Sequence, residues 1–178
     1  MASADGQPFV HLGKLETLEM GPGGAYRATA SAIGQALGLS KIGCRLMELE
    51  PGCTGWPRHI HHANEELFVV LEGHGVYDYG DHAYPIGPGM VLGASTGPGT
   101  AHRIRNTGKE TMRYLAISTM EAPEVLEYPD SGKIGAIAGS APGGPRHERT
   151  LTAFFPTEAA VDYWAGEPDS PGSAGNGD

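Results

Sequence analysis

Three histidines and one glutamate in this chain have the types and the spacing to hold a metal ion. In the stretch WPRHIHHANEELFVVLEG, His59 and His61 stand two positions apart. On an extended segment such residues point to the same side, so both imidazoles can meet at one point while His62 faces away. Four residues then allow a turn into the next strand, whose first inward side chain is Glu66. Parity favours Glu66 over Glu65, which is left to solvent or to an arginine. His102 follows 36 positions after Glu66, on another strand, with Ile104 and Asn106 on its face. Three imidazoles and a carboxylate suit one divalent transition metal (Fe, Mn, Ni, Co, Cu or Zn) rather than calcium. On an octahedral metal such a set leaves positions open for water, substrate or dioxygen, as a catalytic metal requires.

The elements that must position these residues read as short strands. KIGCRLMELEPG alternates Ile42, Cys44 and Leu46 with Gly43, Arg45 and Met47 before a Pro-Gly turn. In ELFVVLEG, Glu66, Phe68 and Val70 share one face and Leu67, Val69 and Leu71 the other. Both faces are apolar, so the strand is expected to be covered on both sides. TAHRIRNTGKETMRYLAIST reads as a hairpin turning at NTGKE. Glycine-rich turns between many short strands indicate an all-β fold, a closed barrel or a double-sheet jelly roll. Phe68, Val70, Met90 and Ile104 are the expected pocket lining. Asn106 is expected to hold a turn through side-chain-to-backbone bonds. Trp56 fits either the pocket mouth or core packing. The remaining histidines, His11, His74, His82 and His147, fit surface or loop positions.

Outside this region the pattern is weaker. Residues 1–24 read as an extended arm ending in GPGG, and residues 29–37 as a short helix or an irregular segment. The aromatics Phe154, Phe155, Tyr163 and Trp164 are expected to pack on the domain or on a partner subunit. The end of the chain, PDSPGSAGNGD, has the composition of a disordered tail. Cys44 and Cys53 form no CxxC motif, and an ordinary buried thiol plus a loop thiol is favoured over a bridge.

PGCTGWPRHIHHANEELFVVLEG resembles the first motif of the cupin superfamily, with His59, His61, Glu66 and Gly73 at its marked positions. GPGTAHRIRN is similar to the second motif, through Gly99, His102 and Asn106. More narrowly, HHANEELFVVLEG, STMEAPEVLEYPDSGK and DYWAGE resemble a group of small single-domain bacterial cupins, some labelled as sugar-phosphate-isomerase-like. The resemblance implies a single jelly-roll β-barrel, a metal in the barrel mouth held by His59, His61, Glu66 and His102, and a homodimer. It divides the chain into an N-terminal arm (1–39), a cupin barrel (40–120), a C-terminal extension (121–167) and a tail (168–178).

Composition narrows the function. With 12 basic against 21 acidic residues the net charge is −9, so neither nucleic acid nor an anionic membrane is an expected partner. No stretch has the length of a membrane span or the pattern of a signal peptide, and the expected location is the cytoplasm. The leading expectation is a metal-dependent protein that binds a small, oxygen-rich metabolite. If it is an enzyme, a dioxygenase or an isomerase is in view. No additional Asp, Lys or Tyr is placed in the pocket by sequence, which weighs against an isomerase needing a general base. The alternative is a non-enzymatic ligand-binding or sensor protein using the same pocket.

Overall fold

The computed structural model describes residues 7–168. Thirteen strands run in chain order: β1 (Leu18–Gly23), β2 (Tyr26–Ser31), β3 (Ile42–Leu49), β4 (Ile60–His61), β5 (Glu66–Glu72), β6 (Gly75–Tyr79), β7 (His82–Ile86), β8 (Val91–Ala94), β9 (His102–Arg105), β10 (Met112–Thr119), β11 (Glu124–Tyr128), β12 (Lys133–Ala138) and β13 (Leu151–Pro156). One helical turn, α1 (Ile33–Ala36), separates β2 from β3.

The strands form a six-stranded sheet in the order β1-β2-β3-β10-β5-β8, a three-stranded sheet β7-β6-β9 and a four-stranded sheet β13-β12-β11-β4. All named pairings are antiparallel. The first two sheets enclose the core as a jelly roll. Alternation sends Met47 and Leu49 of β3, Phe68 and Val70 of β5, Leu92 of β8, and Met112 and Tyr114 of β10 inward. There they meet Tyr77, Ile86 and Ile104 from the opposite sheet. Register stacks this face in layers. Glu66, Ser118 and Gly43 lie across one another, then Phe68, Ala116 and Arg45, then Val70, Tyr114 and Met47.

Three expectations change. The residue 1–24 arm is in part a barrel element: β1 and β2 form a hairpin whose second strand pairs with β3 and buries Ala28 and Ala30. The expected hairpin around NTGKE is absent, since β9 pairs with β6 whereas β10 lies between β3 and β5. Turn residues specify that the chain reverses, not which sheet it then joins. Asn106 still anchors that connection: its amide donates to the carbonyls of Leu49 and Glu110 and accepts from the Gly108 N–H. Strand β5 is fully covered on one face only, for Leu67 is exposed and Val69 and Leu71 are half-buried.

Of the C-terminal aromatics, Phe154 meets the domain at Tyr128, with ring centroids 6.0 Å apart, and large parts of the others are exposed. Phe154 is 51% exposed, Tyr163 84% and Trp164 71%. The tail expected beyond residue 168 lies outside the described residues. Cys44 and Cys53 are free thiols. Among the described residues no helix is long and apolar enough to cross a membrane.

Gly73 shows why a glycine ends β5. Its φ is 77°, and a Cβ there would lie 2.7 Å from the Met112 Cα and 2.8 Å from the Thr111 carbonyl oxygen. A side chain would force β5 away from β10, and Glu66 with it.

Candidate metal centre

At the mouth of the jelly roll, His59, His61, Glu66 and His102 present ligand atoms all within 4.8 Å of one another. His59 sits just before β4 and bridges to His102 at the start of β9 through paired backbone hydrogen bonds. His61 ends β4, and Glu66 opens β5. The His59 and His61 Nε2 atoms are 3.1 Å apart. Glu66 Oε2 lies 2.8 Å from His102 Nε2, 3.4 Å from His61 Nε2 and 3.9 Å from His59 Nε2.

The hydrogen bonds on the far side of each ring assign its proton. His59 Nδ1 lies 2.8 Å from the Pro57 carbonyl, and His102 Nδ1 3.0 Å from the Thr100 carbonyl. Carbonyl oxygens only accept, so both Nδ1 atoms carry hydrogen, and in the neutral ring each Nε2 turns its lone pair to the centre. His61 Nδ1 donates likewise to Glu124 Oε2 at 3.0 Å. Nitrogens 3.1 Å apart repel as two bare imines, and either a proton held by His61 or a metal ion between them removes the repulsion. The four groups therefore fit a divalent metal by donor type, by tautomer and by convergence.

Electrostatics agree with a cation-seeking centre. Burial, with help from the His102 charge, lowers the His59 pKa to about 4, which keeps that ring neutral. Burial also opposes charge on His61, but its bonds to Glu124 and Glu66 prevail and raise its pKa to about 9. For Glu66, burial favours the neutral acid, yet the bonds from His102 and His61 win and hold the carboxyl far below its usual range.

Glu124 escaped the sequence reading. Its side chain is fully buried. It accepts from His61 Nδ1, from the backbone N–H groups of His62, Ala63 and Asn64, and from the Asn64 side-chain amide. Asn64 is itself buried and bonds to Glu121 and Thr119. One carboxylate from β11 thus orients His61 and clamps the turn between β4 and β5. Strand parity held a usable signal: Glu124 shares the inward face of β11 with the buried Leu126. Tyr128, further along that face, stacks on His59 with centroids 6.1 Å apart.

Phe68, Val70 and Ile104 are buried in the core below the centre, and the Phe68 ring lies 5.9 Å from that of His102. Met90 does not join them. It is 42% exposed in the turn before β8, and its carbonyl accepts from the Val70 N–H, away from the Glu66 end of β5. Glu65 is exposed, and His62 turns away from the centre to meet Glu127 at 2.6 Å. Trp56 is half-buried against the core. An open cleft of about 550 Å³ reaches Glu66, with Tyr79, Ala94, Ser95 and Ser118 also on its wall.

The Cupin domain family model matches residues 45–118, the span that carries Glu66, His102 and both histidines of β4 and its approach. This part of the chain is a cupin domain. Solved cupin-like structures align well beyond that span. The "putative sugar phosphate isomerase" of Acidithiobacillus ferrooxidans is 27% identical, with a TM-score of 0.70 over 83% of this chain and 88% of its own. A sugar phosphate isomerase from a cupin superfamily, from Silicibacter pomeroyi, is 23% identical, with a TM-score of 0.73 over 86% and 95%. A polyketide cyclase of Streptomyces resistomycificus is 20% identical, with a TM-score of 0.54 over 64% and 79%. The last two show a shared fold. No curated protein matches the sequence.

Proposed function

We propose that this cupin holds one divalent transition metal (Fe, Mn, Ni, Co, Cu or Zn) on His59, His61, Glu66 and His102, and uses it to bind a small, oxygen-rich metabolite. The observation that carries this reading is the convergence of three Nε2 atoms on the Glu66 carboxylate, each ring held in place by a hydrogen bond at its Nδ1. A bound metal would supply Lewis-acid polarisation of a ligand oxygen. The chain's own part is to orient the ligands, line the interior with apolar side chains and keep the approach open through the cleft at Glu66.

An isomerase reading draws support from the name of the Acidithiobacillus protein. Against it, the carboxylate behind His61, Glu124, is consumed by five hydrogen bonds. A group so held is a poor general base. Dioxygen chemistry or ligand binding without turnover makes less demand on such a base. Screening Fe(II)-, Mn(II)- and Zn(II)-loaded protein against hydroxy acids, keto acids and sugar phosphates, with and without oxygen, tests the reading. Turnover assigns an enzyme, and saturable binding without product assigns a sensor. Absence of both, with the metal in place, would contradict it.

The chain is further proposed to act in the cytoplasm as a homodimer. The exposed aromatics Phe154, Tyr163 and Trp164 support the second point, since a second copy would give them cover.

A further inference from the structure

Among the described residues, five arginines are paired with carboxylates. Arg27 meets Glu50, Arg58 meets Asp130, Arg103 meets Asp78 and Asp130, Arg105 meets Asp78, and Arg113 meets Glu48 and Glu72. The other three, Arg45, Arg146 and Arg149, have no carboxylate at ion-pair distance among the described residues. In a chain with 21 acidic and 12 basic residues, that gap calls for a reason.

These three meet at one loop: Arg45 donates to the Gly143 carbonyl, Arg149 to those of Ala141 and Pro142, and Arg146 follows on the same segment. Burial, then the charges of Arg146 and Arg149, push the Arg45 pKa down, and Arg146 adds to the burial that lowers Arg149. Three guanidinium groups that repel one another without a counter-charge cost stability unless an anion joins them.

Of the three, Arg45 stands at the barrel mouth and draws the loop of the other two to it. Arg45 alternates inward with Met47 and Leu49, both fully buried, and stands across Ala116 from Phe68. The carboxylate that acts on it through space is Glu66, a member of the metal centre. Its one hydrogen bond runs from a terminal nitrogen to the Gly143 carbonyl at 3.2 Å, which leaves the other donors of the fork free. Arg149 shapes the same loop by donating to the carbonyls of Ala141 and Pro142, at 3.3 and 2.5 Å. Its Nε is buried without a partner. Arg146 opens a 3₁₀ turn on that loop and is exposed.

We propose that Arg45, Arg146 and Arg149 form an anion-binding subsite beside the metal centre, which receives the carboxylate or phosphate of a ligand whose other end carries oxygen donors. Planar guanidinium groups match both oxyanions through paired N–H donors. This rests on the metal-binding reading in that the subsite serves the same ligand. It narrows the metabolite from oxygen-rich to anionic.

The test is calorimetric titration of the full-length, metal-loaded protein with inorganic phosphate and, separately, with acetate, in a zwitterionic buffer. At least one anion binds saturably, and Arg45→Gln weakens it tenfold or more while elemental analysis shows unchanged metal. Tighter phosphate binding assigns a phosphate monoester, and tighter acetate binding a carboxylate. Arg146→Gln, at an exposed position, gives the same direction of change and keeps the test valid should the Arg45 variant not fold. Titrating His102→Ala separates the subsite from direct capture by the metal: retained, arginine-sensitive binding supports the subsite. No binding of either anion, or affinities equal in wild type and both arginine variants, overturns the proposal. Failure of the metal reading would look different, as missing metal with arginine-sensitive anion binding intact.

Discussion

Three imidazoles at one point make a ligand set only if each presents a lone pair, and a free histidine flips between tautomers. Here two carbonyls and one carboxylate remove that freedom, and the carboxylate is the replaceable part. Glu124→Gln puts an amide where the His61 Nδ1–H and the neighbouring backbone N–H groups need an acceptor. Metal affinity is expected to fall about 10- to 100-fold, the usual effect of losing a carboxylate behind a ligating histidine. Competition with a chromogenic chelator measures it, and an unchanged affinity would remove Glu124 from the site. At this scale the sequence was informative where spacing alone decides: His59, His61 and Glu66 lie within one turn and two strand starts. Glu124 and Arg45 were hidden because their partners are 63 and 98 positions away, at His61 and Gly143.

Strand β9 brings His102 to the centre, and Asp78 of β6 ties the two strands together. Its carboxylate receives Arg105 through two bonds of 2.8 Å and Arg103 through a third of 3.0 Å. Those bonds, Arg105 first, hold the Asp78 pKa below its ordinary value despite some burial. A depressed carboxyl pKa stabilises the fold above the unfolded-state value and loses that contribution as pH falls through the folded one. Asp78→Asn is therefore expected to cost about 1–3 kcal/mol at neutral pH. The gap from wild type begins to narrow near the ordinary aspartate value, about pH 4, and closes only as pH falls through the lower value of folded Asp78. Urea melts at several pH values decide this, and a gap that persists unchanged into acid would refute it. Elements were legible in so far as period and turn chemistry decide them. The strand at 66–72 follows the alternation in the sequence, and a strand forms at 42–49 as expected, though Leu46 and Met47 on its two faces are both buried. Partner choice was not legible: NTGKE marks a reversal, yet its two strands join different sheets because the core between the sheets, not the turn, selects the pairing.

The whole molecule joins a barrel to a C-terminal sheet, and the candidate metal centre lies at their seam. Strand β4 carries His61 and pairs with β11, so the extension supplies Glu124 and Tyr128 to a site whose ligands belong to the cupin domain. The same extension leaves Phe154, Tyr163 and Trp164 exposed. Sedimentation equilibrium is expected to give twice the 18.6 kDa chain mass. A monomer at micromolar concentration would contradict the homodimer. The sequence announced the barrel through its two motifs. It did not announce that the extension completes the site, because no ligand lies there.

The central claim is that the centre holds a metal. Elemental analysis of protein purified without oxygen, beside His102→Ala prepared in the same way, tests it most directly. One transition-metal ion per wild-type chain, lost in a variant whose circular dichroism stays all-β, is the expected result. Wild-type protein that refuses metal, or a His102→Ala variant that keeps full occupancy, would contradict the account.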